Sequence, residues 1–488
     1  MPARDIDTGP EAAHAGDARA AARGGASLLV LQTFARLAAL AFLMLLTRHL
    51  GRAEVGRYST VAALVVFANF LADFGTSPAI TRIVSRDPEE AKRLLSGTLL
   101  ASLLFGILIA AGVAVFGIAV YSGPTAVDVA IGSLAIPGAA MLSSVLGALD
   151  GAGLIARRAV VTALQTLVIA LGVLPVVAGA GVRSAVVALA VAPWIALIVA
   201  SVMARAAGLW HFALRVDLTQ LRRLLRAALP FALSGGLTAL MLRFDVILLS
   251  LVRTPSETAS YDLAMRLLEA TAYLGAAVGG PMLFVLSRRL GTGDRDGARR
   301  AYGEAVRILY VLGLPLSIGM VVLAKPVVSA ALGAEFGAAA TPLAIMGAGQ
   351  WLTFLIIAQG ALVMGGDSIG RGIAVGALNA VVMVVLDLIL VPQHGAVGAA
   401  WAMLASWTFS AIALDVFHRR TIGFRTPLPS PRLLLAAAST AAVLFVLRHE
   451  PLVVSVPAGA LTYGAGLFLT GAVTSKDIAR LARTLKPA

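Results

Sequence analysis

The 488-residue chain contains no cysteine, which excludes disulfides, thiolate nucleophiles and cysteine-held iron–sulfur centres. Charge is almost as scarce. Asp, Glu, Lys and Arg make up 13% of the residues, about half of what a soluble domain uses to wet its surface. The six histidines (His14, His49, His211, His394, His418, His449) fall in the N-terminal tail or at helix ends, without the HExxH spacing of a zinc hydrolase. No GxxxxGK[ST] loop marks an ATPase. GTGDRDG from Gly291 reads as a short basic loop rather than a strand-to-helix turn. The DID at Asp5 and DRD at Asp294 match a metal–sugar-nucleotide motif only superficially. Residues Met1 to Ala22 lack an apolar core, so they read as a short disordered tail and not as a signal peptide. These absences leave no catalytic residue, cofactor or metal site, and the expectation is a protein that is not an enzyme.

What is present is apolar length. Hydrophobic residues make up 59% of the chain, and the mean hydropathy is +0.91. A bilayer core needs about 20 apolar residues in a helix. That ruler marks fourteen runs: 27–47, 57–81, 94–120, 127–149, 159–179, 184–204, 228–250, 262–286, 304–331, 340–364, 371–391, 396–417, 432–447 and 452–474. The fold class is therefore all-α, a polytopic membrane protein with about 14 transmembrane helices. The run 432–447 is short and ends at Arg448, which leaves a re-entrant or tilted segment open there.

The net charge of +14 would suggest nucleic acid in a soluble protein. Here the basic residues alternate by loop: 28 lie on the side of the N-terminal tail, six (Arg48, Arg52, Arg57, Arg183, Arg253, Arg448) on the other, and five within spans. By the positive-inside rule both termini are cytoplasmic, and no nucleic-acid partner is expected. Four Lys against thirty-five Arg, with abundant Ala and Gly, fit a GC-rich bacterial genome, so a bacterial inner membrane is the expectation. The outer loops, such as 121–127 and 180–183, are very short, which argues against a membrane glycosyltransferase or polymerase.

A weak internal repeat accompanies this pattern. Tyr58 and Pro78 match Tyr261 and Pro281 at an offset of 203, and DGAGLIARRAVVTALQ from Asp150 resembles GGDSIGRGIAVGALN from Gly365. Six helices per copy make the repeat parallel. The implied organisation is a tail over 1–26, one six-helix bundle over 27–207, a cytoplasmic linker over 208–227 and a second bundle over 228–418. A helix pair over 432–474 and a tail over 475–488 complete it.

Ionisable groups inside apolar runs each cost about 2.5–3.5 kcal/mol or more to insert, so each needs a reason. Arg36 has Gln32 one turn before it and no acid within a turn, so its partner is another helix or a ligand. Asn69 and Asp73 share a face of the second run. Arg243 and Asp245 lie in the seventh, and Asp262, Arg266 and Glu269 share a face of the eighth. Asp262 with Arg266 reads best as a buried locking pair. For Arg243, Asp245 and Glu269 a structural and a functional role stand equally open. Gln165, Asn379 and Asp387 read as interhelical hydrogen-bonding groups. Arg is suited to a diphosphate because its planar fork binds phosphate oxygens in pairs and keeps its charge when buried. A cavity holding Arg36 and Arg243 would then draw in such a head group.

RHLGRAEVGRYSTVAAL from Arg48, DFG at Asp73, and RFDVILLS from Arg243 followed by Tyr261 resemble motifs of the multidrug/oligosaccharidyl-lipid/polysaccharide exporter (MOP) superfamily. The branch they are most similar to is the polysaccharide transporters, the O-antigen and exopolysaccharide flippases of lipopolysaccharide biosynthesis. That resemblance implies a V-shaped, two-lobed transporter. It would move an undecaprenyl-diphosphate-linked oligosaccharide to the outer leaflet by alternating access, alongside a polymerase, glycosyltransferases and membrane lipids. It also implies cleft arginines, for which Arg36, Arg243 and Arg266 are candidates, and Gln32 and Asn69 are the further candidate substrate-binding residues. Asp73, Asp245 and Glu269 are candidate ion-coupling groups. Two departures stand out: Arg253 replaces a Leu–Gly pair frequent in relatives, so a looser outer turn is expected, and Ala276 stands at the repeat counterpart of Asp73. Rival readings are a lipid II flippase of peptidoglycan synthesis, then a drug/cation antiporter of the same superfamily, then a membrane glycosyltransferase or polymerase.

Overall fold

The computed structural model describes residues 31, 34–35, 37–87, 89–210, 218–365 and 369–472. Among them every regular element is a helix. Nine helices are long and apolar enough to cross a membrane, and two bent pairs, Pro255–Ala272 with Leu274–Gly291 and Ala334–Ala348 with Gln350–Met364, raise that to eleven. The 52-residue stretch Gly370–Thr421 is two helices joined at Gly395, whose φ of 58° and ψ of −134° are not helical. Two shorter apolar helices, Leu37–His49 and Pro431–Val446, fall on the first and thirteenth predicted runs. Counted this way, the described residues carry fourteen apolar segments, as the length ruler expects.

The boundaries follow local chemistry. Proline at the first helical position, where its missing N–H costs nothing, opens helices Pro124–Ser133, Pro255–Gly291 and Pro431–Val446. Thr254 and Ser430 cap the latter two by accepting from Glu257 N and Leu433 N, each at 3.3 Å. The predicted run 57–81 is a helix Arg52–Asp73 and a second helix Thr76–Val84, split where Phe74 and Gly75 take positive φ.

The chain divides into two compact units: residues up to Leu50 with Leu64–Gly236, and Gly51–Ala63 with Leu237 onward. In the first, helix Ala135–Gly151 is the hub, packed on Thr76–Val84, Glu89–Val120 and Val182–Ala206. Small residues allow the approach, for a Cβ on Gly147 would lie 2.6 Å from the Ser77 carbonyl oxygen. Ile80, Leu95, Leu149 and Val161 are fully buried around it. Leu104, Leu108, Val115 and Ile118 stay exposed, as a lipid-facing surface requires.

In the second unit Phe354, Tyr302, Leu309 and Leu362 form the core. Helices Pro431–Val446 and Leu452–Leu469 are tied to helix Arg295–Val322. Tyr463 Oη donates to the Val311 carbonyl (2.9 Å), Tyr310 Oη to that of Pro427 (3.1 Å), and Arg307 to that of Ala472. The outer turn at Arg253 is not loose. Arg253 donates to the carbonyl oxygens of Val391 (3.3 Å) and Pro392 (2.7 Å) and stands 4.0 Å from Glu257. Those carbonyls are freed beside the kink at Gly395, so the arginine supplies donors that the helix ladder lacks there.

Candidate functional site

The second unit gathers most of the intramembrane charge. Helix Leu218–Val252 carries Arg243 and Asp245 two residues apart, so they leave it on different sides. Asp262, Arg266 and Glu269 of helix Pro255–Gly291 lie one above the other at spacings of four and three. The first turns of helix Arg52–Asp73 add Tyr58 and Ser59, both buried.

Asp262 is the centre. Its side chain is 1% exposed, and its Oδ2 accepts from Ser59 Oγ at 2.6 Å and Arg266 Nε at 2.8 Å. Its Oδ1 faces Arg243 Nη1 at 3.7 Å, and Arg243 Nη2 faces Glu269 Oε1 at 3.6 Å. Distances of 2.6–2.8 Å are charge-assisted hydrogen bonds, whereas 3.6–3.7 Å leaves Coulomb attraction without a formed bond. Arg243 Nη1 and Asp262 Oδ1 are indeed buried without a hydrogen-bond partner. The cluster is therefore tight on the Arg266 side and loose on the Arg243 side, and it ends in Glu269, 37% exposed. Two guanidiniums and two carboxylates leave it formally neutral. An anion entering here must compete with Glu269 for Arg243.

Asp245 belongs to a second, adjoining group. Tyr261 Oη and Val246 N (2.7 Å) donate to its carboxylate. Asp387, on helix Ile369–Thr421, is 1% exposed with both carboxylate oxygens unpartnered. The helix that carries it packs against helix Pro255–Gly291, which carries Tyr261. Among the described residues neither carboxylate forms an ion pair.

The structure thus brings Arg243, Arg266 and Glu269 together and seats Asp245 beside them on the Tyr261 side. Asn69 and Asp73 belong to the first unit. Asn69 Oδ1 is buried without a partner. Asp73 closes the helix break: its carbonyl oxygen accepts from Thr76 Oγ1 at 2.8 Å, and its Oδ1 accepts from the same hydroxyl at 3.2 Å and from Ser77 N at 3.4 Å. Arg36 and Gln32 lie outside the described residues. Sequence reasoning set Asp387 aside as a hydrogen-bonding residue and overlooked Ser59. A signal for Ser59 existed, because Ser59 and Asp262 are separated by 203 residues, the offset that aligns Tyr58 with Tyr261.

A family model described as polysaccharide biosynthesis protein matches residues 21–283. The sequence has no significant match among curated proteins. Among solved structures, the lipid II flippase MurJ in an inward closed conformation superimposes with a TM-score of 0.75 at 14% identity, over 90% of this chain and 97% of that one. An inward-facing multidrug resistance MATE family transporter of the MOP superfamily matches with a TM-score of 0.63 at 18% identity, over 80% and 94%. An outward-facing one matches with a TM-score of 0.56 at 16% identity, over 80% and 95%. At these identities the likeness is one of fold, and it agrees with the helical architecture above. With the family model spanning more than half its length, this multi-pass membrane chain of MOP-transporter fold belongs to the polysaccharide biosynthesis protein family.

Proposed function

We propose that this protein is a flippase that moves an undecaprenyl-diphosphate-linked oligosaccharide to the outer leaflet by alternating access, for the assembly of a surface polysaccharide. Its place is then the bacterial inner membrane with both termini in the cytoplasm, and a polymerase and glycosyltransferases act on the same carrier. The observation that supports this reading best is the half-open charge cluster of the second unit. Arg243 is held by ion pairs too long to be hydrogen bonds, and its partner Glu269 is partly exposed. A diphosphate offers shorter, paired acceptors to the same guanidinium and would displace Glu269 from it. Arg266, locked to Asp262, holds the cluster in place rather than meeting the cargo. Asp245 and Asp387 are the carboxylates we assign to ion coupling, because among the described residues both are buried without an ion-pair partner and Asp387 accepts no hydrogen bond either.

Transport of a fluorescent lipid-linked oligosaccharide in proteoliposomes tests the reading. Arg243→Gln is expected to lower the rate about tenfold or more, the worth of one or two charge-assisted hydrogen bonds. Glu269→Gln is expected to alter the rate while leaving thermal stability nearly unchanged. Wild-type rates in both variants would sink the assignment.

A lipid II flippase is the second reading, favoured by the coverage and TM-score of the MurJ match. A deletion strain separates the two: loss of surface polysaccharide with normal growth fits the first, and lysis fits the second.

A further inference from the structure

Helix Thr76–Val84 starts hard against helix Leu218–Val252. A Cβ on Gly75 would lie 2.6 Å from the Ala228 carbonyl oxygen and 2.7 Å from Phe231 Cβ. Beyond that contact a cavity of about 520 Å3 opens, lined by Arg82, Ile83, Arg86 and Asp87 on one side and Ala227 and Phe231 on the other. That volume lies within the roughly 300–1,000 Å3 of small-molecule sites.

Its chemistry is two-sided. Arg82 lies in the last turn of the helix and Arg86 in the turn that follows it, and both line the same cavity. Both are exposed, and neither guanidinium has an ion-pair or hydrogen-bond partner among the described residues. Asp87, which has an interaction of its own, is the one acid in the lining, so the two arginines outnumber it. Two arginine forks in one cavity are suited to the oxygens of a phosphate or diphosphate, which each fork binds in pairs. The remaining wall is Ile83, Ala227 and Phe231, which offers a free anion nothing and an amphiphile a place for its first carbons.

We propose that this cavity docks the phosphate-bearing head of a lipid, with Arg82 and Arg86 on the phosphate oxygens and the adjoining chain on Ile83, Ala227 and Phe231. The site lies wholly in the first unit and is separate from the Arg243–Glu269 cluster. It deepens the flippase reading by giving the lipid head a docking point of its own, and it rests on that reading only for its purpose, not for its binding chemistry.

Equilibrium binding to the purified full-length protein in neutral detergent tests it, with farnesyl diphosphate, inorganic pyrophosphate and farnesol as probes. Farnesyl diphosphate is expected to bind at least tenfold more tightly than either of the others. Arg82→Gln with Arg86→Gln should weaken it tenfold or more. Phe231→Ala should weaken farnesyl diphosphate but not pyrophosphate. Arg299→Gln with Arg300→Gln, exposed arginines of the second unit, should stay within twofold. The pair Arg82→Lys and Arg86→Lys, which keeps the charge, should give an intermediate loss and serves where the Gln pair fails to fold. Unchanged binding in the Gln pair, equal loss in the Arg299/Arg300 control, or loss only with Arg243→Gln would each overturn the proposal. Pyrophosphate binding as tightly as farnesyl diphosphate would assign the cavity to a free anion instead. Since the readout is binding, the proposal can hold where the transport assay of Arg243→Gln and Glu269→Gln fails, and the reverse.

Discussion

Asp262 holds one hydroxyl and one guanidinium within 2.8 Å while almost wholly removed from solvent. Truncating one partner of a buried ion pair strands the other charge, so Asp262→Ala is expected to cost about 3–5 kcal/mol. Ser59→Ala removes one hydrogen bond and should cost about 1 kcal/mol. Fluorescence-detected thermal unfolding in detergent ranks them, and equal melting temperatures for Asp262→Ala and wild type would refute the clamp. Asp387 makes the opposite case. Its carboxylate has no partner to lose, so Asp387→Asn should leave the melting temperature level or higher while slowing transport. A lower melting temperature would point to a structural bond instead. The face shared by Asp262, Arg266 and Glu269 was readable from spacing alone, because side chains three and four apart on a helix meet. That Arg243 closes the ring was not readable, since it arrives from another helix and sequence spacing carries no interhelical distance. Asp387 looked ordinary for the same reason: burial and lack of a partner are properties of the surroundings.

At the scale of the element, length and hydropathy located the apolar segments, and backbone breaks within them were the hidden part. The run 57–81 showed no proline or charge at 74–75, yet the helix ends there because Phe74 and Gly75 leave the helical region. Arg253 looked like a loosened turn because its role depends on carbonyls 138 and 139 residues away. Gly395 is the break with the clearest consequence. Its φ of 58° with ψ of −134° is open to glycine almost alone, and an added Cβ would stand 2.0 Å from Glu257 Oε2. Gly395→Ala is expected to cost about 1–3 kcal/mol. A hydrogen-exchange experiment should place the loosened amides around Val391–Gly398 and Arg253. Protection unchanged in both segments would show that the kink does not depend on this glycine.

The whole molecule offers a direct test of its orientation, because the chain has no cysteine to remove first. A single cysteine at Ser122 should react with a membrane-impermeant maleimide in intact spheroplasts. One at Thr292 should react only in inside-out vesicles, as the 28-to-6 distribution of basic residues requires. The opposite labelling would invert the topology. Gly51–Ala63 belongs to the second unit although it precedes most of the first in sequence. Here the packing of the Gly-x-Tyr stretch is informative. A Cβ on Gly56 would sit 1.8 Å from the Pro255 carbonyl oxygen, Tyr58 is buried, and Ser59 reaches Asp262. The Gly-x-Tyr stretch is thus a joint between helices, while the groups offered to a cargo, Arg243 and the cavity arginines, lie outside it. Descent can therefore rewrite one without touching the other. Relatives that keep the glycine and the serine–aspartate bond but carry a cargo without a lipid diphosphate should differ at Arg82, Arg86 and Arg243, so that lineage is written in the joint and cargo in the cavities.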